Sequence, residues 1–163
     1  MVNRVTERRF VVDVNVGRLA KWLRVMGYDA AFPLERGDNE LVRIALQEDR
    51  VLVTRDSGIA QRRAVRLGQM KVVRIENDDL RSQLKQLVTE LKLDLAGGFS
   101  RCVRCNQVLQ PKLKQDVARR LPPYVFQTHS QFMECPQCRR LYWRGTHWTN
   151  MMSELERLRQ EDS

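Results

Sequence analysis

Hydrophobic and polar residues alternate in blocks along the first ninety residues of the chain. Short β-branched runs such as RFVVDV and RVLVT predict strands, at residues 9–14, 29–32, 50–54 and 70–75. Apolar residues spaced three or four apart predict helices between and after them, at residues 19–26, 38–46, 57–67 and 80–92. The repeated strand–helix order predicts an α/β fold, a parallel sheet sandwiched by helices.

The pattern changes after residue 94. The linker at 94–98 contains two glycines, which break the preceding helix, and the sequence beyond it is basic and contains all the cysteines. We therefore predict two domains, at residues 1–94 and 95–163. Within the second, we expect a short helix over Pro111–Leu121, an interruption at Pro122-Pro123, and a helix over Trp148–Arg159.

The four cysteines form two Cys-x-x-Cys pairs, Cys102 with Cys105 and Cys135 with Cys138. Two such pairs together complete the tetrahedral sulfur shell that zinc accepts. A structural zinc in a small ribbon is predicted, because four cysteines leave no open coordination position for water. A redox dithiol pair and another soft metal remain alternatives. The two histidines, His129 and His147, are expected to be surface or hydrogen-bonded side chains.

Basic residues outnumber acidic ones by 29 to 20, and the excess is concentrated late in the chain. Residues 95–150 hold nine Lys and Arg against two Asp and Glu. Cations interleaved with aromatic rings favour single-stranded RNA, whose phosphates attract cations and whose bases stack on rings. We therefore predict RNA as the partner, with a solvated basic face as the alternative. The candidate RNA-binding residues of this segment are Arg104, Arg139, Arg140 and Arg144.

Carboxylates stand where the predicted strands end. Asp13 closes the first strand, Asp56 follows RVLVT, and Asp78 and Asp79 follow the fourth strand. Because the carboxyl ends of parallel strands meet at one edge of a sheet, we expect these residues to gather there, together with Asp38. Clustered carboxylates suit Mg²⁺ or Mn²⁺, which can activate water for hydrolysis at phosphorus. The alternative is helix capping for the aspartates that precede helices, and a hydrogen-bonded turn for Asp13.

Other chemistries find little support in the sequence. It contains no glycine-rich phosphate loop of the P-loop or dinucleotide type and no serine nucleophile-elbow motif. No apolar run approaches the roughly 18 residues of a membrane span, and residues 1–9 lack the apolar stretch of a secretory signal. We therefore expect a cytoplasmic protein without a membrane partner, and the sequence leaves protein partners unknown.

Three segments carry a resemblance to a known family. They are RFVVDVNVGRLAKWLRVMGYD at 9–29, RVLVTRDSGIAQRR at 50–63, and CVRCN followed by CPQCRRLYWRGTHW in the cysteine-bearing part. With these motifs in this order, the chain resembles the Mut-seven C-terminal RNase family from about Arg9 to Met152. The resemblance implies a PIN-like α/β/α nuclease domain fused to a zinc ribbon, with ribonuclease activity on single-stranded or structured RNA.

The resemblance also assigns roles to individual residues. By motif match, Asp13, Asp38 and Asp56 correspond to the family's acidic site, as catalytic residues and metal ligands, and the four cysteines correspond to its ribbon. Asp78 and Asp79 are both candidates for a fourth acidic position. Four further cations near this site are candidates for holding the RNA backbone: Arg18, Lys21, Arg24 and Arg55. An equally good interpretation is that they are solvated charges on helix surfaces.

The leading hypothesis is a divalent-metal-dependent endo- or exoribonuclease that binds RNA through a basic zinc ribbon. The chief alternative is a non-catalytic RNA-binding or ribosome-associated zinc-ribbon protein, and a third is a nuclease acting on DNA flaps or single strands. The three aspartates together favour catalysis, because a binder of polyanions gains nothing from an unneutralised acidic pocket.

Overall fold

A four-stranded parallel sheet forms the centre of the N-terminal part of the chain. The computed structural model describes residues 8–161. The first seven residues and the last two lie outside the described residues, and with them lies most of the segment 1–9 considered above for a secretory signal. The strands are β1 (Arg9–Val12), β2 (Asp29–Ala31), β3 (Arg50–Thr54) and β4 (Val72–Arg74). They lie in the order β2-β1-β3-β4 and every neighbouring pair is parallel, which confirms the predicted α/β sheet.

Helices cover both faces of this sheet, as predicted. They are α1 (Arg18–Val25), α2 (Asp38–Gln47), α3 (Ser57–Ala60), α4 (Arg63–Arg66) and α5 (Leu80–Leu91). Side chains alternate along β1, so Phe10 and Val12 pack in the layer of α1 and α5, whereas Val11 packs in the layer of α2 and α3. β1 and β3 pair in parallel, so their carboxyl ends lie side by side.

The single helix predicted over 57–67 is wrong, because this segment forms two short helices. The backbone at Arg62 is extended, with φ −64° and ψ 151°, so α3 ends before it and α4 begins after it. Ile59 of α3 is buried in the core, whereas α4 has no buried residue. The break places the Arg62 guanidinium beside α2, where it donates to Asn39 Oδ1 at 2.7 Å.

A small antiparallel sheet carries the cysteines, and residues 101–142 are called the ribbon from here on. Its strands are β5 (Gln110–Lys112), β6 (Phe132–Glu134) and β7 (Leu141–Tyr142), with α6 (Lys114–Val117) and α7 (Pro123–Thr128) between β5 and β6. The helix predicted over Pro111–Leu121 is therefore wrong at its start, since Pro111 pairs with Met133 of β6. A proline fits there because β5 is an edge strand of the sheet.

The last helix, α8 (Thr146–Gln160), returns to the N-terminal core. Leu155 and Leu158 are fully buried in the same cluster as Leu84 and Leu87 of α5. The chain thus leaves the N-terminal unit, forms the ribbon and comes back, so α8 packs across the predicted boundary at 94/95. None of the helices within residues 8–161 is both long and apolar enough to cross a membrane.

The linker and α1 approach each other closely at Gly27. This residue ends α1 with φ +94°, a conformation that favours glycine. A Cβ at Gly27 would lie 2.0 Å from the carbonyl oxygen of Gly97, so no larger residue fits. Arg101 of the ribbon donates to the Gly27 carbonyl at 3.2 Å. This contact fixes where the ribbon begins relative to the sheet.

Candidate functional site

Two aspartates at the carboxyl edge of the sheet share a buried threonine. Asp13 follows β1 and is 6% exposed, and its Oδ2 accepts a hydrogen bond from Thr54 Oγ1 at 2.8 Å. Thr54, the last residue of β3, is fully buried, and its Oγ1 also accepts a hydrogen bond from the backbone N–H of Asp56 at 3.0 Å. The Thr54 hydroxyl therefore ties the ends of the two central strands together at the position of the predicted acidic site.

Asp38 joins these residues from the start of α2. The pKa of Asp38 is raised, first by partial burial, then by a hydrogen bond to Asp56, and then by the negative charges of Asp56 and Asp13. The Arg62 guanidinium offsets part of this rise. Three carboxylates from separate parts of the sequence are thus neighbours that repel one another, and Asp13, Asp38 and Asp56 are called the acidic edge below.

The other two candidate aspartates, Asp78 and Asp79, interact with groups outside the acidic edge. Asp79 caps α5, accepting a hydrogen bond from Ser82 N at 2.9 Å, which is the ordinary capping alternative. Asp78 is 87% exposed and forms an ion pair with Arg55. Asp56 also caps a helix, since its Oδ1 accepts from Gly58 N at 2.7 Å, and it lies beside Asp38 as well.

The three carboxylates of the acidic edge are not gathered as closely as the ligands of one bound ion. Over residues 8–161, the four cysteines are the only group of three or more His, Cys, Asp or Glu side chains whose ligand atoms are gathered closely enough for one ion. The three carboxylates nevertheless supply hard oxygen donors with unneutralised charge, which is the donor set that Mg²⁺ and Mn²⁺ prefer. Water and a substrate phosphate would complete the coordination of an ion held by these three carboxylates.

A polar cavity of about 320 Å³ lies at the same edge of the sheet. Its walls include Asn15, Arg18, Arg55 and Asp78. Asn15 holds the loop after β3, because its Oδ1 accepts from the Arg55 backbone N–H at 3.3 Å. Two cations, Arg18 and Arg55, thus line a cavity formed in part by the segment that follows Asp13.

The four cysteine sulfurs lie within 4.8 Å of one another, so the structure places them to bind one metal ion. The two Cys-x-x-Cys turns have matching geometry. The residue after each pair has a left-handed backbone, with φ 65° at Asn106 and 66° at Arg139. In each turn the backbone N–H of the second cysteine points at the sulfur of the first, at 3.3 Å for Cys105 and 3.5 Å for Cys138.

Tyr142 favours the thiolate form of one cysteine. Burial opposes ionisation of Cys102, but hydrogen bonds from the Tyr142 hydroxyl and from the backbone N–H groups of Cys105 and Arg104 outweigh it and lower the pKa of Cys102 to about 7. The Tyr142 hydroxyl lies 3.0 Å from Cys102 Sγ and accepts a hydrogen bond from Val103 N. This environment suits a sulfur that coordinates a cation.

The predicted RNA-binding cations fall into three groups. Arg24 is buried and its guanidinium donates to the carbonyls of Ala30 and Val103, so it has a structural role and the RNA role expected of it is withdrawn. Arg139 forms an ion pair with buried Glu134 at 3.3 Å and remains largely exposed. The others have exposed or partly exposed side chains: Arg18, Lys21, Arg55, Arg104, Arg140 and Arg144.

Comparison with known proteins gives one family. The model of the Mut7-C RNAse domain matches residues 8–155, which is nearly the whole chain and includes both the acidic edge and the cysteines. Curated proteins and solved structures give no match. The fold and both groups of candidate residues are thus found within one matched segment, and the chain belongs to the Mut7-C RNAse domain family.

Proposed function

We propose that this protein is a divalent-metal-dependent ribonuclease, a hydrolase of RNA phosphodiester bonds. The observation that carries the proposal is the convergence of Asp13, Asp38 and Asp56 at the carboxyl edge of the sheet, in a chain of an RNAse domain family. Three mutually repelling carboxylates destabilise a fold, and a bound divalent cation relieves their repulsion.

Asp13, Asp38 and Asp56 would hold one or two Mg²⁺ or Mn²⁺ ions. When bound, such an ion lowers the pKa of a coordinated water and stabilises charge on the phosphate. The raised pKa of Asp38 fits this assignment, because a cation would relieve the repulsion that raises it. Asp78 as a fourth ligand requires the Arg55 ion pair to open, so we assign the primary site to the other three.

The chain itself supplies orientation and phosphate binding. The Thr54 hydroxyl fixes one oxygen of Asp13 and leaves the other free to face a cation. Arg18 and Arg55, in the cavity at the same edge, would bind the phosphate next to the bond that is cleaved. The hydrogen bond between Thr54 and Asp13 is made before substrate arrives, whereas Arg55 would exchange Asp78 for the phosphate.

The ribbon would bind zinc and hold the RNA strand. Its four sulfurs suit zinc. Its exposed cations Arg104 and Arg140, and Arg144 just after it, lie in the segment of residues 95–150, which has a net charge of +7. A segment of this charge binds a phosphate backbone through release of condensed counterions. We assign the zinc a structural role, because four thiolates complete its coordination shell.

A cleavage assay tests the proposal. Zinc-loaded protein should cleave single-stranded RNA when Mg²⁺ or Mn²⁺ is added and leave it intact without them. A DNA strand of the same sequence serves as the comparison substrate, and faster cleavage of DNA would reassign the protein as a DNA nuclease. Tight RNA binding with no cleavage under any divalent metal would instead establish the non-catalytic RNA-binding alternative.

A further inference from the structure

A second cavity, of about 420 Å³, lies where α1, the ribbon and the start of α8 meet. Its walls include the aromatic residues Phe99, Tyr142, Trp143 and Trp148, together with the cations Lys21 and Arg140. All the residues that line it belong to the described part of the chain, and none of them is a carboxylate. We call it the aromatic cleft. Its volume is in the range of cavities that hold small planar ligands.

The backbone is strained where it places one of these rings. Phe99 has φ +67°, a left-handed conformation that is costly for an aromatic residue and free for glycine. Its ring makes an edge-to-face contact with Trp148, with centroids 5.8 Å apart. The Arg144 guanidinium lies 4.9 Å from the Phe99 ring centroid and 5.2 Å from that of Trp148. Strain of this kind concentrates at ligand-binding positions.

Trp148 also holds an unused hydrogen-bond donor. Its indole Nε1 is buried and has no hydrogen-bond partner within residues 8–161. Among the described residues it is the one buried side-chain nitrogen or oxygen in this condition. A buried donor without a partner costs free energy, and Trp148 is one of the residues that line the cleft.

We propose that the aromatic cleft holds one unpaired base of the bound RNA strand. Aromatic rings with cations at the rim and no nearby carboxylate are complementary to a flat base attached to phosphates. A base in a duplex is stacked and paired and cannot enter, so the cleft selects single-stranded RNA. An apolar protein side chain would fill the cavity equally well but would gain nothing from Lys21 and Arg140.

The cleft is connected to the acidic edge through α1. This helix begins five residues after Asp13, and Lys21 and Val25 on it line the cleft. A strand crossing α1 would therefore place a base in the cleft and a phosphate farther along at the acidic edge. The identification of the ligand as RNA rests on the proposed function. The cleft would add a binding site for one base, at a fixed number of nucleotides from the bond that is cleaved.

Removal of single bases from the RNA tests the proposal. The probe is a single-stranded RNA of about ten nucleotides, with a set of copies that each lack the base at one position, and binding to the full zinc-loaded chain is measured without added Mg²⁺ or Mn²⁺. We expect one position at which loss of the base weakens binding by about tenfold, and much smaller losses elsewhere. A uniform loss at every position would overturn the proposal.

Variants of Phe99 assign the effect to the cleft. Phe99→Leu should bind the intact strand about as weakly as the wild-type protein binds the sensitive abasic copy, and should show no further loss with that copy. Phe99→Tyr should behave like the wild-type protein. If Phe99→Leu binds RNA as the wild-type protein does, the proposal is wrong. Quenching of tryptophan fluorescence by intact RNA but not by the sensitive abasic copy supplies a test in the unaltered protein, and equal quenching by both contradicts the proposal.

Cleavage is measured separately, with Mg²⁺ added, so that the two proposals can fail independently. Cleavage without any position-dependent loss of binding overturns the base-binding cleft and leaves the ribonuclease assignment standing. A position-dependent loss without cleavage overturns the ribonuclease assignment and leaves the cleft standing.

Discussion

At the scale of single residues, Asp38 shows most directly what the acidic edge costs the fold. Its pKa is raised by partial burial and by the neighbouring carboxylates, so ionised Asp38 is less stable in the folded protein than in the unfolded chain. A group whose pKa is raised on folding takes stability away as pH rises through that pKa. Ionised Asp38 therefore lowers the free energy of unfolding at neutral pH, and an uncharged side chain at position 38 would restore it.

We expect Asp38→Asn to melt about 1–2 °C higher than the wild-type protein at pH 7, without divalent metal, and to lose cleavage activity. At about pH 3, where Asp38 is protonated in both states, the two proteins should melt at the same temperature. Thermal melts at both pH values check this. Asp116→Asn, an equal change of charge on the exposed surface of α6, is the control and should change neither property.

Thr54 is the residue of the acidic edge that the sequence did not reveal. As the last residue of RVLVT it is a common strand former, and its partners Asp13 and Asp56 are identified only when β1 and β3 lie side by side. The positions of Asp13 and Asp56 at this edge of the sheet were predictable because both residues follow apolar strands. Arg24 was misassigned because sequence alone does not show that a helical arginine is buried against two carbonyl groups.

At the scale of elements, the contact between the first cysteine turn and β2 joins the two parts of the chain. Asn106 Oδ1 accepts from Ala30 N at 3.0 Å, and its Nδ2 donates to Asp29 Oδ1 at 2.7 Å. β2 is an edge strand, so this side chain satisfies a backbone donor that no further strand would pair. Asn106 follows Cys105 directly, so a metal ion bound by the cysteines would support the edge of the sheet.

We expect Asn106→Gly to destabilise the protein by about 1–2 kcal/mol, because it removes two hydrogen bonds while glycine keeps the left-handed backbone. Amide hydrogen exchange at Ala30 should accelerate, since its N–H loses its acceptor. Arg139→Gly, the equivalent position of the second turn, is the control and should leave exchange at Ala30 unchanged. Unchanged exchange in Asn106→Gly would show that the contact does not hold β2.

The central elements were predictable and the ribbon elements were not. β3 and α5 have strong local periodicity, and their observed bounds lie within one residue of the prediction. β5 was largely assigned to a helix because its pairing with β6 joins residues twenty or more positions apart, which no local pattern records. α8 was predicted as a helix, but its return to the core beside α5 depends on tertiary packing of Leu155 and Leu158.

At the scale of the whole molecule, the ribbon is an insertion between two elements of one core. Because α8 packs on α5 through buried leucines, loss of the ribbon need not release it. A structural zinc contributes directly to the folding free energy of a small domain. The metal is therefore expected to stabilise the ribbon and its aromatic cleft more than the parallel sheet.

We expect one zinc per chain, measured by elemental analysis, and none in Cys135→Ser. That variant should lose the near-ultraviolet signal of the ribbon aromatics while the parallel sheet still melts cooperatively. Gln137→Ser, an exposed position within the same turn, is the control and should keep its zinc. Zinc-free wild-type protein with an intact ribbon would contradict the assignment.

The central claim is that Asp13 holds a metal that makes the protein a ribonuclease, and one variant tests it most directly. Asp13→Asn should lower Mg²⁺- or Mn²⁺-dependent RNA cleavage by about 100-fold or more, because a neutral amide is a poor ligand for a hard cation. RNA affinity should be equal or slightly higher, since one charge facing the phosphates is lost. Asn can still accept the Thr54 hydrogen bond, so the melting temperature should change little. Undiminished cleavage by folded Asp13→Asn protein would contradict the account.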